Sequence, residues 1–389
     1  MNGTSGNKKS RLSVCALVPY PQATTPSQRF RIEQWIPDLE QRGISVEIVP
    51  FVDERMMSVL HKPGQFASKA AMMVGAFARR AARVADTARY DVVLVHRAVC
   101  IAGPALLEYV FKLLHRPVIF DFDDAIYMLH TTEANRRWGW LKFPHKTARI
   151  CRLSNLIIAG NSYLADYARQ HNPNVTVIPS SVDTHKFCPV ENRSSNSKVI
   201  IGWTGSSTSQ TYLESFAPVL RELMSSRKVE LRIHSDRRPE LDGVPVEWRA
   251  WSPENEAEEI AAFDIGIMPM PHEAWARGKC AMKALLYMSC GVPAVCEAFG
   301  TNREVIRDGE NGILAGTPEQ WLAALESLID DVELRQRIGI AGRNSVEKHY
   351  SMDRCAELFA DAVYCTVNGQ SLYAVERTAE ELQSRGLVK

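Results

Sequence analysis

Short apolar, β-branched runs alternate along the chain with longer segments whose apolar residues recur at helical spacing. The runs that read as strands are Leu12–Val18, Val46–Pro50, Val92–Val95, Val118–Phe122, Leu156–Ala159 and Val175–Pro179. A second series follows at Lys198–Trp203, Glu230–His234, Val246–Arg249, Ile265–Met268, Ala294–Cys296 and Gly312–Leu314. Strands that are apolar nearly throughout are buried on both faces, so the pattern predicts an α/β protein with two parallel sheets in tandem, each covered by helices. The polar, turn-rich stretch 189–198 separates the two series and is the expected linker.

Two stretches of the first half stand apart. Residues 56–90 combine Met56, Met57, Leu60, Met72, Met73, Val74 and Phe77 with Lys69, Arg79, Arg80 and Arg83. They read as a crossover helix with one core face and one solvated basic face, or as a helix lying on a membrane surface. A second cluster, Arg136, Arg137, Trp138, Trp140, Lys142, Lys146, Arg149 and Arg152, mixes aromatic rings with cations. Trp faces stack on sugars and Arg forks bind phosphate, so it suits a membrane interface or a sugar-phosphate site. No apolar run reaches the roughly 18 residues that a membrane span needs.

At 389 residues, 46% hydrophobic and 23% charged, the chain has ordinary globular composition. A prior of about 150 residues per domain gives two domains, here 1–190 and 191–365 with a final segment 366–389. Net charge is 46 − 45 = +1, but residues 1–190 carry 24 Lys+Arg against 15 Asp+Glu, and residues 191–389 carry 22 against 30. The basic first half is the better partner for anionic headgroups or a phosphorylated acceptor. Nucleic acid is not expected as a partner, because overall charge is near zero and no nucleic-acid motif is visible. The nine cysteines form neither a CxxC pair nor a Cys/His cluster, so no disulfide framework and no metal site is expected, and the expected address is the cytoplasm.

Ligands in open parallel sheets bind outside the carboxyl ends of the strands. After the first strand, a polar loop ends in Arg29 and Arg31 at the head of a helix, where they form an anion site or are simply solvated. The strand Val118-Ile-Phe120 runs into Asp121, Asp123 and Asp124. Crowded carboxylates raise one another's pKa unless paired, so they serve as a base, orient a hydroxyl or hold a cation. The structural alternative is that one caps the next helix while another pairs with Arg97 or His96. In the second half, Gly202-Trp-Thr204-Gly205-Ser206-Ser-Thr208 leaves a strand for a helix, as a phosphate cradle would. Arg277, Lys279 and Lys283 open another helix, against its macrodipole unless an anion sits there. Phe299-Gly300-Thr301-Asn302-Arg303-Glu304 makes a further glycine turn into a helix.

Together these residues resemble the family 4 glycosyltransferases, the "group 1" set with the GT-B fold. The resemblance is carried by Phe263-Asp-Ile-Gly-Ile-Met-Pro269, Ala276-Arg-Gly-Lys-Cys-Ala-Met-Lys283, Tyr287-Met-Ser-Cys-Gly-Val-Pro293, Gly300-Thr-Asn-Arg-Glu304 and Gly309-Glu-Asn-Gly312. It implies two Rossmann-like domains facing across a cleft, with a nucleotide-sugar donor on the second and a glycan, lipid-linked or small acceptor on the first. It also implies a last helix, Ser371–Leu387, that returns to the first domain. Transfer would be retaining and independent of metal, with no cofactor beyond the donor substrate, in polysaccharide or glycoconjugate synthesis, at most peripherally attached to the inner face of a membrane.

By the same resemblance, Gly202, Thr204, Gly205, Ser206, Trp251, Arg277, Lys279, Lys283, Gly300, Thr301, Asn302 and Glu304 bind the donor. Arg29, Arg31, His96 and Arg97 face the acceptor, and Asp123 and Asp124 are the catalytic candidates. The family's paired glutamates would fall near Gly278 and Leu286, neither acidic, and Thr204 and Thr208 stand near the places of its Arg and Lys. Lys279 and Lys283 supply the missing charge in a branch that carries RGKCxxK. Two other readings compete: a nucleotide-sugar-binding protein without turnover, and a Mg-dependent phosphohydrolase of the haloacid dehalogenase type using Asp121 and Asp123.

Overall fold

The computed structural model describes residues 11–60, 62, 64–128, 143, 145–190 and 198–370. The Arg136–Lys142 cluster, most of the 189–198 linker and the helix expected over Ser371–Leu387 lie outside the described residues. The chain divides into two compact units, 1–179 with 355–389, and 180–354. Against the expected boundaries, the first unit closes at Pro179 rather than 190 and takes the chain back from Cys355 rather than from 366.

The first unit holds β1 (Leu12–Val18), β2 (Ile44–Pro50), β3 (Val92–His96), β4 (Val118–Phe122), β5 (Leu156–Ala159) and β6 (Val175–Val177). They lie in the order β2-β1-β3-β4-β5-β6, every pair parallel. Val14–Val18 and Val92–Val95 are wholly buried, as strands covered on both faces must be. The return segment packs into this unit because its helix, Met352–Val367, sets Phe359 against Trp35 with ring centroids 5.4 Å apart and donates from Tyr364 Oη to the Arg42 carbonyl at 2.8 Å.

The second unit holds β7 (Val199–Gly205), β8 (Val229–Ser235), β9 (Glu247–Ala250), β10 (Ile265–Met268), β11 (Ala294–Glu297) and β12 (Ile313–Ala315), in the order β12-β11-β10-β7-β8-β9, again all parallel. That is the Rossmann order, reversing between β7 and β10, whereas the first sheet reverses between β1 and β3. The helix Thr211–Ser226 explains how such a sheet is covered. Its Leu213, Phe216, Leu220 and Leu223 recur at three or four residues and bury one stripe on Ile201, Leu231 and Ile233. Each such side chain contributes about 1.5–3 kcal/mol, and Phe216 meets Trp321 edge-on at 4.6 Å.

Candidate functional site

Each unit gathers polar groups at the carboxyl ends of the strands flanking its reversal. In the first unit the parallel register sets His96, the last residue of β3, beside Asp121 of β4. His96 Nδ1 lies 2.6 Å from Asp121 Oδ2, and the Arg31 guanidinium donates from Nε to the same carboxylate at 3.1 Å and from Nη1 to the Ile178 carbonyl at 2.9 Å. An ionised Asp121 accepts a hydrogen bond from the proton on Nδ1, and Nε2 lies 3.0 Å from Ser27 Oγ, a hydroxyl that also hydrogen-bonds Asp123. Next along, Arg97 Nε donates to Asp123 Oδ1 at 2.9 Å, and Arg97 Nη2 stands 3.9 Å from Asp124 Oδ2.

These contacts set the charges. Burial alone would raise both carboxyls, yet Arg31 with His96 holds Asp121, and Arg97 with His96 and Arg31 holds Asp123, below the usual carboxylate range. Burial would lower Arg97, but Asp123 and Asp124 hold it above its ordinary value. Arg97 takes φ +63°, the left-handed conformation that bulky residues rarely adopt, which the surrounding pairs must enforce.

In the second unit the RGK segment and the two glycine turns meet. Gly205 ends β7, and a Cβ there would lie 2.7 Å from the Trp203 ring and 2.8 Å from Lys283 Cε, so only glycine lets the lysine pass. At Gly300, φ +55°, an added Cβ would lie 3.2 Å from Arg277 Cα. The cations lie over aromatic faces: Lys283 Nζ is 5.2 Å from the Trp203 ring, Lys279 Nζ is 5.1 Å from Trp275, and Arg277 Cζ is 5.5 Å from Phe299. Burial, and then the charge of Lys279, push the Lys283 ammonium down to about 8.

Several expected site residues stand elsewhere than the sequence implied. β7 runs on to Gly205, so Gly202 and Thr204 are strand residues, buried, and only Ser206 onward forms the loop. Thr204 turns its hydroxyl inward to His234 Nδ1 at 3.2 Å, with His234 Nε2 donating to Asn255 Oδ1 at 3.0 Å, and burial lowers the His234 pKa. The Ser207 amide, part of the expected phosphate cradle, donates to Asp236 Oδ1 at 2.6 Å. Arg277 and Lys279 precede the helix, which runs Met282–Ser289, so only Lys283 stands in its first turn. Buried Asn302 donates from Nδ2 to the Glu297 carbonyl at 2.9 Å and holds the turn, with Thr301 buried beside it. Glu304, Ser206 and Arg277 are exposed, and Trp251 is half-buried with its amide on the Ser235 carbonyl. In the first unit Arg31 and His96 are as buried as core residues, whereas Arg29, Arg97, Asp123 and Asp124 keep partial exposure. Asp121, engaged by Arg31 and His96 on both oxygens, is a structural carboxylate; as a phosphohydrolase nucleophile it would need a free oxygen.

Sequence reading missed the His272 and Glu297 pair, Nε2 to Oε1 at 2.8 Å, in which the His272 ring stacks on Phe299 at 4.8 Å and Glu297 also accepts from Trp321 Nε1 at 3.3 Å. It also missed His234, Asp236 and the stacked Tyr127 and Tyr167, 3.6 Å apart. The local signal for Glu297, Asp236 and His272 was position, at a strand end or within four residues of one, whereas His234 lies inside β8 and Tyr127 and Tyr167 stand five and eight residues past their strands.

A model described as Glycosyltransferase Family 4 matches residues 31–186, and one described as Glycosyl transferases group 1 matches residues 198–331. The chain belongs to the family 4, group 1 glycosyltransferases. Solved structures of other proteins share its fold. Sucrose-phosphate synthase from Thermosynechococcus elongatus matches at TM-score 0.68 and 14% identity, over 92% of this chain and 100% of that one. HepE of Anabaena in complex with UDP-glucose matches at TM-score 0.62 and 14% identity, over 91% and 99%. These GT-B proteins have the same two parallel sheets with flanking helices. In sequence, a D-inositol 3-phosphate glycosyltransferase of Paenarthrobacter aurescens is 31% identical over 119 residues, 29% of this chain and 28% of that protein. The chain thus spans about a quarter of the length of such curated relatives, 28% and 25%. Among the described residues no helix is long and apolar enough to cross a membrane.

Proposed function

We propose that this protein transfers a glycosyl group from a nucleoside-diphosphate sugar, UDP being the nucleotide, to a hydroxyl of a glycan or lipid-linked acceptor. The observation that carries the reading is Lys283, half-buried between Trp203 and Gly205, its ammonium pushed down to about 8 by burial and Lys279. A diphosphate placed there would offset both the burial and the repulsion. With Lys279 and Arg277 it would meet three cations beside two glycine turns, the arrangement that stabilises a departing diphosphate. UDP rather than another nucleotide is favoured by the fold shared with HepE, whose structures hold UDP and UDP-glucose.

On this reading the second unit holds the donor, and the first unit takes the acceptor at Arg97, Asp123 and Asp124, the strand-end groups that keep partial exposure. Side-chain cations take the part that a divalent metal plays elsewhere, so transfer needs neither metal nor cofactor, and the anomeric configuration is retained. The setting is polysaccharide or glycoconjugate assembly in the cytoplasm.

The test is thermal unfolding with UDP, GDP, ADP and TDP, each with Mg²⁺ or EDTA, followed by product analysis with UDP-sugars. A ligand at a hundred times its Kd stabilises by about 2.7 kcal/mol, well within reach. We expect a shift with UDP that survives EDTA. A shift confined to Mg²⁺, or none with any nucleotide, would discard the reading, and binding without turnover on any UDP-sugar would leave a sensor rather than an enzyme.

A further inference from the structure

Eleven large apolar side chains are exposed among the described residues, and four of them fall within residues 106–114 of the first unit. The helix Leu106–Leu113 buries Glu108 and Phe111 on its inner face. Its outer face carries Leu106, Tyr109 and Leu113, 66%, 43% and 75% exposed, at spacings of three and four that make one stripe, and exposed Leu114 follows. Single exposed leucines need no explanation, but a stripe of them does.

The surround of that stripe is cationic. Lys112 is exposed on the same helix, Arg116 follows it, and the Arg149 guanidinium lies 5.9 Å over the Tyr109 ring. Across residues 105–117 and 145–154 the acids number one, Glu108, against five Lys+Arg. Glu108 is buried, and Lys146, which donates from Nζ to the Cys100 carbonyl at 2.6 Å, acts on it from within. The outer surface of these two segments therefore presents cations and apolar groups together. The helix Phe66–Asp86, the basic stretch that the sequence singled out, differs: Arg79 pairs with Asp53 at 2.8 Å, and Arg83 with Glu47 and Asp86 at 3.2 Å.

We propose that the outer face of Leu106–Leu113, with Arg116 and Arg149, docks on an anionic lipid bilayer. Leu106, Leu113 and Leu114 enter the boundary between headgroups and acyl chains, Tyr109 sits at the headgroup level, and Lys112, Arg116 and Arg149 meet lipid phosphates. A nucleic acid would match the cations but leave the leucines in water. This attachment holds whether or not the transferase reading does.

The experiment is co-sedimentation of the full chain with vesicles of phosphatidylcholine alone and of phosphatidylcholine mixed with phosphatidylglycerol. We expect binding to the mixed vesicles that weakens with salt. Leu106→Ser with Leu113→Ser should weaken it by about tenfold or more, the loss of leucine burial. Lys112→Glu with Arg149→Glu should remove the preference for the anionic lipid. Val332→Ser with Ile340→Ser, exposed residues of the second unit, should change nothing. Unfolding midpoints equal to the parent's would show that the variants are folded. Absence of binding to the mixed vesicles overturns the proposal and leaves a protein partner for the stripe, as does binding that survives the double serine change.

Discussion

The two units build their strand ends from the same kinds of residue and treat charge in opposite ways. In the first, two of the cations near the reversal have carboxylates against them: Arg31 on Asp121, Arg97 on Asp123 and Asp124. In the second, Lys283 is lowered by burial and by another lysine. A carboxylate-paired arginine helps hold a sheet together with nothing bound, while a lysine held down by burial and by a second lysine costs stability until an anion arrives. The contrast separates residues that build the fold from residues that wait for a ligand, and each statement can be broken.

The largest effect belongs to the buried pair. Asp121→Asn or Arg31→Met leaves one buried partner uncompensated and should cost about 3–5 kcal/mol in denaturant unfolding. UDP affinity, measured where the variant is folded, should stay within twofold of the parent. A matching loss of affinity would show that the first unit's cluster also serves the donor.

Lys283→Met should behave the other way round. The unfolding midpoint without ligand should rise, because a half-buried, unfavoured charge is gone. UDP binding by calorimetry should weaken about tenfold to a hundredfold, the worth of one hydrogen bond to a charged group. If the midpoint falls and affinity holds, Lys283 is a core residue and the donor lies elsewhere.

The same lysine gives a proton linkage. Its folded pKa, about 8, is below the ordinary lysine value of 10.5, so the folded state holds that proton less tightly than the unfolded one. The cost is fully present below pH 8 and fades as pH rises towards 10.5. A bound diphosphate favours the charged form, so at pH 8.5 UDP binding should take up protons, seen as a dependence of the binding heat on the buffer's ionisation enthalpy. Lys283→Met should abolish that uptake. Asp123 gives the opposite sign: held low by Arg97, it stabilises the fold above the ordinary carboxylate range, and that stability is lost as acid protonates it.

How much of this the sequence disclosed depends on the range of the interaction. All twelve strands were legible, most of them as short apolar runs bounded by turn residues, although β9 is Glu247-Trp-Arg-Ala250. Where β7 ends was not, since Thr204 and Gly205 read as loop but keep pairing with His234 and Ser235 of β8. The three aspartates were legible as a cluster, and so was the choice between a reactive and a paired role. The choice itself rested on Arg31, which meets Asp121 across 90 residues of chain. The RGK segment could be seen as cationic, but that Gly205 makes room for Lys283, and Gly300 for Arg277, is a fact of packing. His272 and Glu297, on different strand ends 25 residues apart, left no motif at all.

That pair is the exception which sharpens the contrast, because Glu297 is a carboxylate at the cationic unit's own strand ends. Its side chain is directed at His272 and at Trp321 Nε1. Glu297→Gln keeps the shape, its oxygen accepting from Trp321 Nε1 and its amide donating to His272 Nε2, so it should cost only about 1 kcal/mol of stability, the net worth of a hydrogen bond, and leave UDP affinity within twofold. Should affinity rise tenfold instead, the carboxylate is acting on the donor cations through space, the second unit is partly self-neutralised as the first is, and the difference between them is one of degree.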